Sequence, residues 1–109
     1  MERTITIEGK EIPMRANGAT PRVYRSIFGK DIFLGMQRAI GADMQVNDSE
    51  VFENVAFCMA TQAGSIPAGM TIDQWLEAFS SPLAILNAAP AIMELWTEET
   101  KTISTEKKE

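Results

Sequence analysis

The side chains that could carry acid–base or metal chemistry in this 109-residue chain are two pairs of carboxylates on predicted helices. Glu50 and Glu53 are three residues apart, and Asp73 and Glu77 are four residues apart, so each pair falls on one helix face. Catalysis or metal binding needs further donor groups around such a pair, and the chain contains no histidine. We therefore interpret both pairs as exposed helix surface.

Cys58 is the only cysteine, and it lies in the apolar run VAFCMATQ. A reactive thiolate needs a neighbouring base, which no histidine supplies here, and a thiolate zinc site needs several cysteines. The seven glycines form neither a phosphate-binding loop nor a dinucleotide-binding fingerprint. We therefore predict a buried Cys58 in a protein that is not an enzyme and needs no metal or cofactor.

Length and composition are those of one small globular domain. The chain is 45% apolar and 23% charged, which is ordinary for a globular protein, and we place the domain at residues 1–99 with a disordered polar tail at 100–109. The opening segment MERTITIEGK lacks the apolar stretch of a signal peptide, and no stretch has the length and apolarity of a membrane helix. We expect a cytoplasmic protein with no membrane partner.

Charge is distributed unevenly along the chain. Residues 1–38 carry seven basic and four acidic side chains, whereas residues 39–109 carry three basic and eleven acidic ones. The net charge of -5 disfavours nucleic acid as a partner, because phosphate neutralisation dominates that affinity. The asymmetry is either a set of solvated acidic faces or a dipole whose basic part meets an acidic surface of another molecule.

The N-terminal segment alternates apolar and polar residues in the pattern of a β-hairpin. We predict strands near 3–8 and 11–16 with the turn at Gly9-Lys10. Pro13 cannot donate a ladder hydrogen bond, so the second strand should lie at an edge. Such a hairpin is marginal alone and must pack against helices.

Helix start and stop signals divide the rest of the chain. Thr20, followed by Pro21, is predicted to cap a first helix that Gly29 ends. Four further segments are helical by periodicity or capping signals, and they are KDIFLGMQRAI, NDSEVFENVAFCMATQAG, TIDQWLEAF and PLAILNAAPAIMELW.

Within these segments, Asn47 or Asp48 should cap the third helix and Gly64 should end it. Thr71 begins a capping box, and Pro90 should kink the last segment or divide it into two abutting helices. The fold class predicted is therefore mainly α (α+β): a short N-terminal β-hairpin, four or five short helices and a disordered C-terminal tail.

Two segments of the chain carry a likeness to a known family. IPMRANGATPRVYRSIFGKDIF, and further on TIDQWLEAFSSPLAILNAAPAIMELW, resemble the tail assembly chaperones of long-tailed, non-contractile (siphovirus-type) phages and related prophages. The likeness covers roughly residues 5 to 108, and it is a pattern of apolar and basic positions without any short catalytic motif.

The resemblance implies a non-enzymatic helical protein made in the cytoplasm of the infected bacterium. It would bind the tape measure protein, keep it soluble until the tail tube polymerises around it, and be absent from the mature virion. Such chaperones often also exist as a longer product of ribosomal frameshifting, which would contact the tail tube protein. The pair Lys107-Lys108 stands where a slippery run of adenines could encode it, and the charge asymmetry is compatible with a homo-oligomer.

Two groups of residues are candidates for partner binding. The segment 20–33 would pack Tyr24, Ile27 and Phe28 inward and present basic side chains to an acidic surface of a neighbouring copy or of the tape measure protein. Apolar residues of the C-terminal helices would either fill the core or line a groove for a partner helix. The nine candidates are Arg22, Arg25, Lys30, Trp75, Phe79, Leu83, Leu86, Met93 and Trp96.

Two other functions fit the same pattern. One is a structural tail or head–tail completion protein that stays in the particle, and the other is a small helical regulatory binding protein. Mass spectrometry of purified virions distinguishes the first of these from a chaperone.

Overall fold

The structure is a computed structural model that describes residues 2–39 and 48–97. In these residues it has an antiparallel hairpin followed by six helical segments, which confirms the predicted fold class. The predicted tail at 100–109 and the possible cap at Asn47 lie outside the described residues. The elements are β1 (Glu2–Ile7), β2 (Lys10–Arg15), α1 (Thr20–Phe28), α2 (Ile32–Ala39), α3 (Ser49–Gln62), α4 (Ile72–Glu77), α5 (Ala84–Asn87) and α6 (89–97).

The hairpin turns one residue earlier than the sequence suggested. Ile7 pairs with Lys10, so the two turn residues are Glu8 and Gly9, with φ of 53° and 77°. Positive φ at both central positions is the geometry that matches the twist of a two-residue hairpin. The alternation then buries one face of the ladder, formed by Ile5, Ile7, Ile12 and Met14.

Helix α3 is the centre of the domain. Every residue from Val51 to Ala60 is buried except the half-buried Glu53, and the helix contacts β2, α1, α2, α4 and α5. A helix that is apolar on all sides is stable in water only when other elements surround it. Cys58 is fully buried here as predicted, and burial raises the pKa of its thiol to about 12.

Most of the capping signals act as predicted. Asp48 accepts a hydrogen bond from the Glu50 N–H at 3.0 Å at the start of α3, and Gly29 ends α1 with φ of 68°. Thr71 and Gln74 form both hydrogen bonds of a capping box at the start of α4.

Thr20 is not the N-cap that the sequence suggested. Helix α1 begins at Thr20 itself, and Ala19 occupies the cap position without a side-chain hydrogen bond. The buried Thr20 hydroxyl accepts a hydrogen bond from the Asn17 N–H at 2.9 Å and donates one to Gln62 Oε1 at 2.6 Å. It therefore connects the segment before α1 to the end of α3.

The last apolar run is divided into α5 and α6, as the position of Pro90 suggested. The break falls at Ala88, so Pro90 becomes the second residue of α6, where its missing N–H needs no partner. Helix α5 begins at Ala84, two residues after Pro82, and the Ser81 hydroxyl accepts a hydrogen bond from the Leu83 N–H.

The hairpin is tied to the C-terminal half of the domain at both of its ends. At the turn, the Glu8 carboxylate accepts hydrogen bonds from the N–H groups of Ser80 and Ser81, each at 2.8 Å. At the open end, the Arg3 guanidinium forms an ion pair with Glu94 of α6. The N-terminal strand thus closes against the last helix.

Candidate partner-binding surfaces

Trp75 and Phe79, two of the predicted partner-binding residues, belong to the core. They are 6% and 9% exposed, and their rings form a cluster with Phe57, with centroid distances of 5.6 Å for Phe57–Trp75 and 5.2 Å for Trp75–Phe79. Trp75 lies on the face of α4 that packs against α3, and Phe79 follows two residues after the helix ends and packs on the Trp75 ring. They therefore offer little surface to a partner.

The predicted apolar residues in α5, in α6 and at the position before α5 are more accessible. Leu83 and Leu86 are 54% and 36% exposed, whereas Met93 and Trp96 are half-buried. The Trp96 ring lies 5.7 Å from that of Phe33, a residue that is itself 59% exposed and that the sequence analysis did not select. The exposed apolar surface on this part of the domain therefore includes a contact between α2 and α6.

The predicted basic residues of the 20–33 segment are all exposed. The Arg25 guanidinium lies 3.9 Å from the Asp31 carboxylate, which is a long and solvent-screened ion pair. Tyr24 is buried as predicted, but Ile27 is 38% exposed, so the expectation that it packs inward is wrong. At about 100° per residue, position 27 is about 60° around the α1 axis from Tyr24, so it lies at the margin of the buried face.

Ile27 instead borders a cavity that we name the apolar groove, with a volume of about 450 Å³. Its walls are the C-terminal end of α1, the C-terminal half of α3 and the loop that leads into α4. The groove is lined by Ile27, Phe28, Phe57, Thr61, Ile66, Pro67, Ala68, Gly69, Met70, Thr71 and Ile72. No lining residue is charged, and the arrangement can hold apolar side chains of another molecule.

The basic residues do not border this groove. At about 100° per residue, Ile27 is about 140–160° around the α1 axis from Arg22 and Arg25. The two predicted features, a basic face and an apolar binding surface, therefore lie on different sides of α1.

A second cavity of about 340 Å³ separates α2 from the start of α3, and we name it the α2–α3 cleft. It is lined by Tyr24, Lys30, Asp31, Leu34, Gly35, Arg38, Asp48, Glu50, Val51 and Asn54. At its inner end the Tyr24 hydroxyl interacts with the Asn54 side chain, and burial raises the pKa of Tyr24. Among these residues only Lys30 is a binding candidate predicted from the sequence.

The carboxylate pairs behave differently from one another. Asp73 and Glu77 are exposed as expected, but Glu53 is half-buried, and its pKa is raised by burial and by the neighbouring Glu50 and Asp48. Within residues 2–39 and 48–97, no three His, Cys, Asp or Glu side chains are grouped so that they could hold a metal ion.

Comparisons of the chain with protein-family models, with curated protein sequences and with solved structures gave no match. In the part of the chain that the structure describes, no helix is long and apolar enough to cross a membrane.

Proposed function

We propose that this protein is a non-enzymatic phage tail assembly chaperone that binds the tape measure protein in the cytoplasm of the host bacterium. It would keep that long helical protein soluble until the tail tube polymerises, and then be left out of the virion. The sequence likeness described above suggests this role, and the observation that carries it is the uncharged apolar groove on an otherwise acidic domain.

The groove suits a helical partner for physical reasons. Amphipathic helices bind to other proteins by placing apolar residues three and four positions apart into a hydrophobic groove. Two walls of this groove are helices, which keep its shape, and Met70 in the third wall can adapt to side chains of different shape. A long amphipathic helix without its tube exposes many such residues, and covering them prevents aggregation.

The direct test is co-production with the tape measure protein of the same phage or prophage. We expect the wild-type chain to raise the soluble fraction of that protein and to co-elute with it on a sizing column. Ile27→Asp should remove both effects without unfolding the domain, since position 27 is already 38% exposed.

Gln37→Asp is the matched control, because it places the same charge on an exposed helical position that borders neither the groove nor the α2–α3 cleft. An insoluble tape measure protein in the presence of folded wild-type chain would refute the proposed function. Equal loss of binding in both variants would show that the groove is not the contact.

Two further parts of the proposal concern products beyond this chain. A frameshift-extended form would connect the complex to the tail tube protein, and several copies of the chain would cover one tape measure protein. Mass spectrometry of an infected lysate for the extended product, together with light scattering of the complex, tests both parts.

A further inference from the structure

We infer that the α2–α3 cleft is a second contact for a helical partner, and that it selects a helix with acidic residues along one edge and a basic residue on the other. This inference rests on the proposed function, because it takes the partner to be a helix, but it concerns a different surface and a different property of that partner.

Gly35 is an unusual residue for the interior of a helix. It lies inside α2, where glycine is less favourable than alanine, and its backbone φ does not require glycine. A Cβ at this position would make ordinary contacts, 3.5 Å from Val51 Cγ1 and 3.7 Å from Tyr24 Oη. Packing therefore permits alanine, and the effect of glycine is to keep the inner end of the cleft open.

The wall of the cleft formed by α2 and the residues before it carries two basic side chains. Leu34 and Arg38 are four residues apart and so lie on one face of α2, Lys30 lies two residues before the helix begins, and all three are exposed. Lys30 and Arg38 both line the cleft, whereas Asp31, which also lines it, is half-buried and accepts hydrogen bonds from the N–H groups of Phe33 and Leu34 at the start of α2. Within the described residues neither cation forms an ion pair, and Leu34 between them is 53% exposed.

The α3 wall has the opposite charge. Glu50 is exposed there, and Asp48 lies beside it as the cap of α3. A nucleic acid would be attracted to the α2 wall but repelled by this one. A helix with carboxylates on one edge, an apolar residue between them and a lysine on the far edge matches both walls.

Designed peptides test this inference with the full chain as the receptor. The matching probe is a soluble 21-residue helix with leucines along one stripe, glutamates along one edge and lysines along the other. The control probe has the same composition of leucines but lysine on both edges. Titration calorimetry at low and at physiological salt should show at least tenfold tighter binding of the matching probe, since electrostatic complementarity of this kind governs specificity.

Three variants then identify the surface. Gly35→Ala should raise the thermal midpoint of the domain and yet lower its affinity for the matching probe about tenfold. Loss of folding cannot produce these two effects together. The double variant Lys30→Glu, Arg38→Glu should reverse the preference, so that the control probe binds better. Ile27→Asp, which alters only the apolar groove, should leave the preference between probes unchanged.

Several outcomes would overturn the inference without touching the proposed function. One is that Ile27→Asp removes probe binding while the cleft variants do not, because the probe would then sit in the apolar groove. Another is that the cleft variants alter self-association and not probe binding, which would make a second copy of the chain the occupant. A third is that neither probe binds although the wild-type chain still solubilises the tape measure protein.

Discussion

Replacing Thr20 by valine should destabilise the domain through lost hydrogen bonds alone, because the two side chains have nearly the same shape. The Thr20 side chain is 1% exposed and its hydroxyl bonds to Asn17 and Gln62. The Gln62 amide in turn donates to Asn17 Oδ1 at 3.0 Å, which closes a three-residue network. Valine leaves the Asn17 N–H and the Gln62 carbonyl oxygen without these partners.

The size of the effect follows from how well water can replace the lost hydroxyl. A fully buried polar group left unpaired costs about 1–3 kcal/mol, but Gln62 is only half-buried and Asn17 is exposed. We therefore expect Thr20→Val to lower the free energy of unfolding by about 1–2 kcal/mol, which is the lower part of that range. For a domain of this size, each kcal/mol lowers the melting temperature by about 4–8 °C.

Urea denaturation of four chains measures this prediction: wild type, Thr20→Val, Gln62→Leu and the double variant. A coupling energy of about 1 kcal/mol is expected, because both single changes break the same bond. Thr61→Val is the matched control, since its hydroxyl donates only to the Phe57 carbonyl within α3, and it should change stability by less than about 0.5 kcal/mol. A Thr20→Val chain as stable as wild type, or zero coupling, would refute this account of α1.

Three further predictions concern the hairpin turn, a helix start and the thiol. The hydrogen bonds from Ser80 and Ser81 lower the pKa of Glu8 from its ordinary value of 4.5. Glu8→Gln should therefore be less stable than wild type at pH 7, and this difference in stability should shrink as the pH falls below 4.5. A difference between the urea midpoints of the two chains that stayed constant across this range would contradict the prediction. Thr71→Ala removes the capping box of α4 and should cost about 1 kcal/mol, whereas the conservative Thr71→Ser should restore most of the loss in the same melting assay. Cys58 should react with iodoacetamide at pH 8 only as fast as the domain unfolds, because burial raises its pKa to about 12; rapid labelling of the native chain would show that α3 is not enclosed.

The fold could be predicted from the sequence wherever local chemistry decides the structure. The capping box at Thr71, the stop at Gly29 and the division of the last run just before Pro90 all depend on residues within a few positions of each other. The turn was misplaced because Glu8 adopts a positive φ, which is uncommon for a residue other than glycine. Its carboxylate is held by groups more than 70 residues away, and no local pattern reveals them.

The candidate surfaces were harder to predict for the same reason. Trp75 and Phe79 could equally have lined a groove or filled the core, and only the position of Phe57 on α3 decides between the two. The apolar groove joins α1, α3 and the loop over 66–71, so no single segment shows it. The one local signal is the pair Ile66 and Met70, two apolar residues in a loop rich in proline and glycine.

The ion pair between Arg3 and Glu94 has a consequence for the order in which the chain is made. Of the described elements a ribosome releases the hairpin first and α5 and α6 last, so the hairpin can pack on α3 through β2 but must wait for its contacts with α5 and α6. Until then α3 has been synthesised without α5, which covers one of its sides in the finished domain. A nascent chain of this protein therefore exposes its own apolar helix for several seconds, at about 5–20 residues added per second, and must itself avoid aggregation during synthesis.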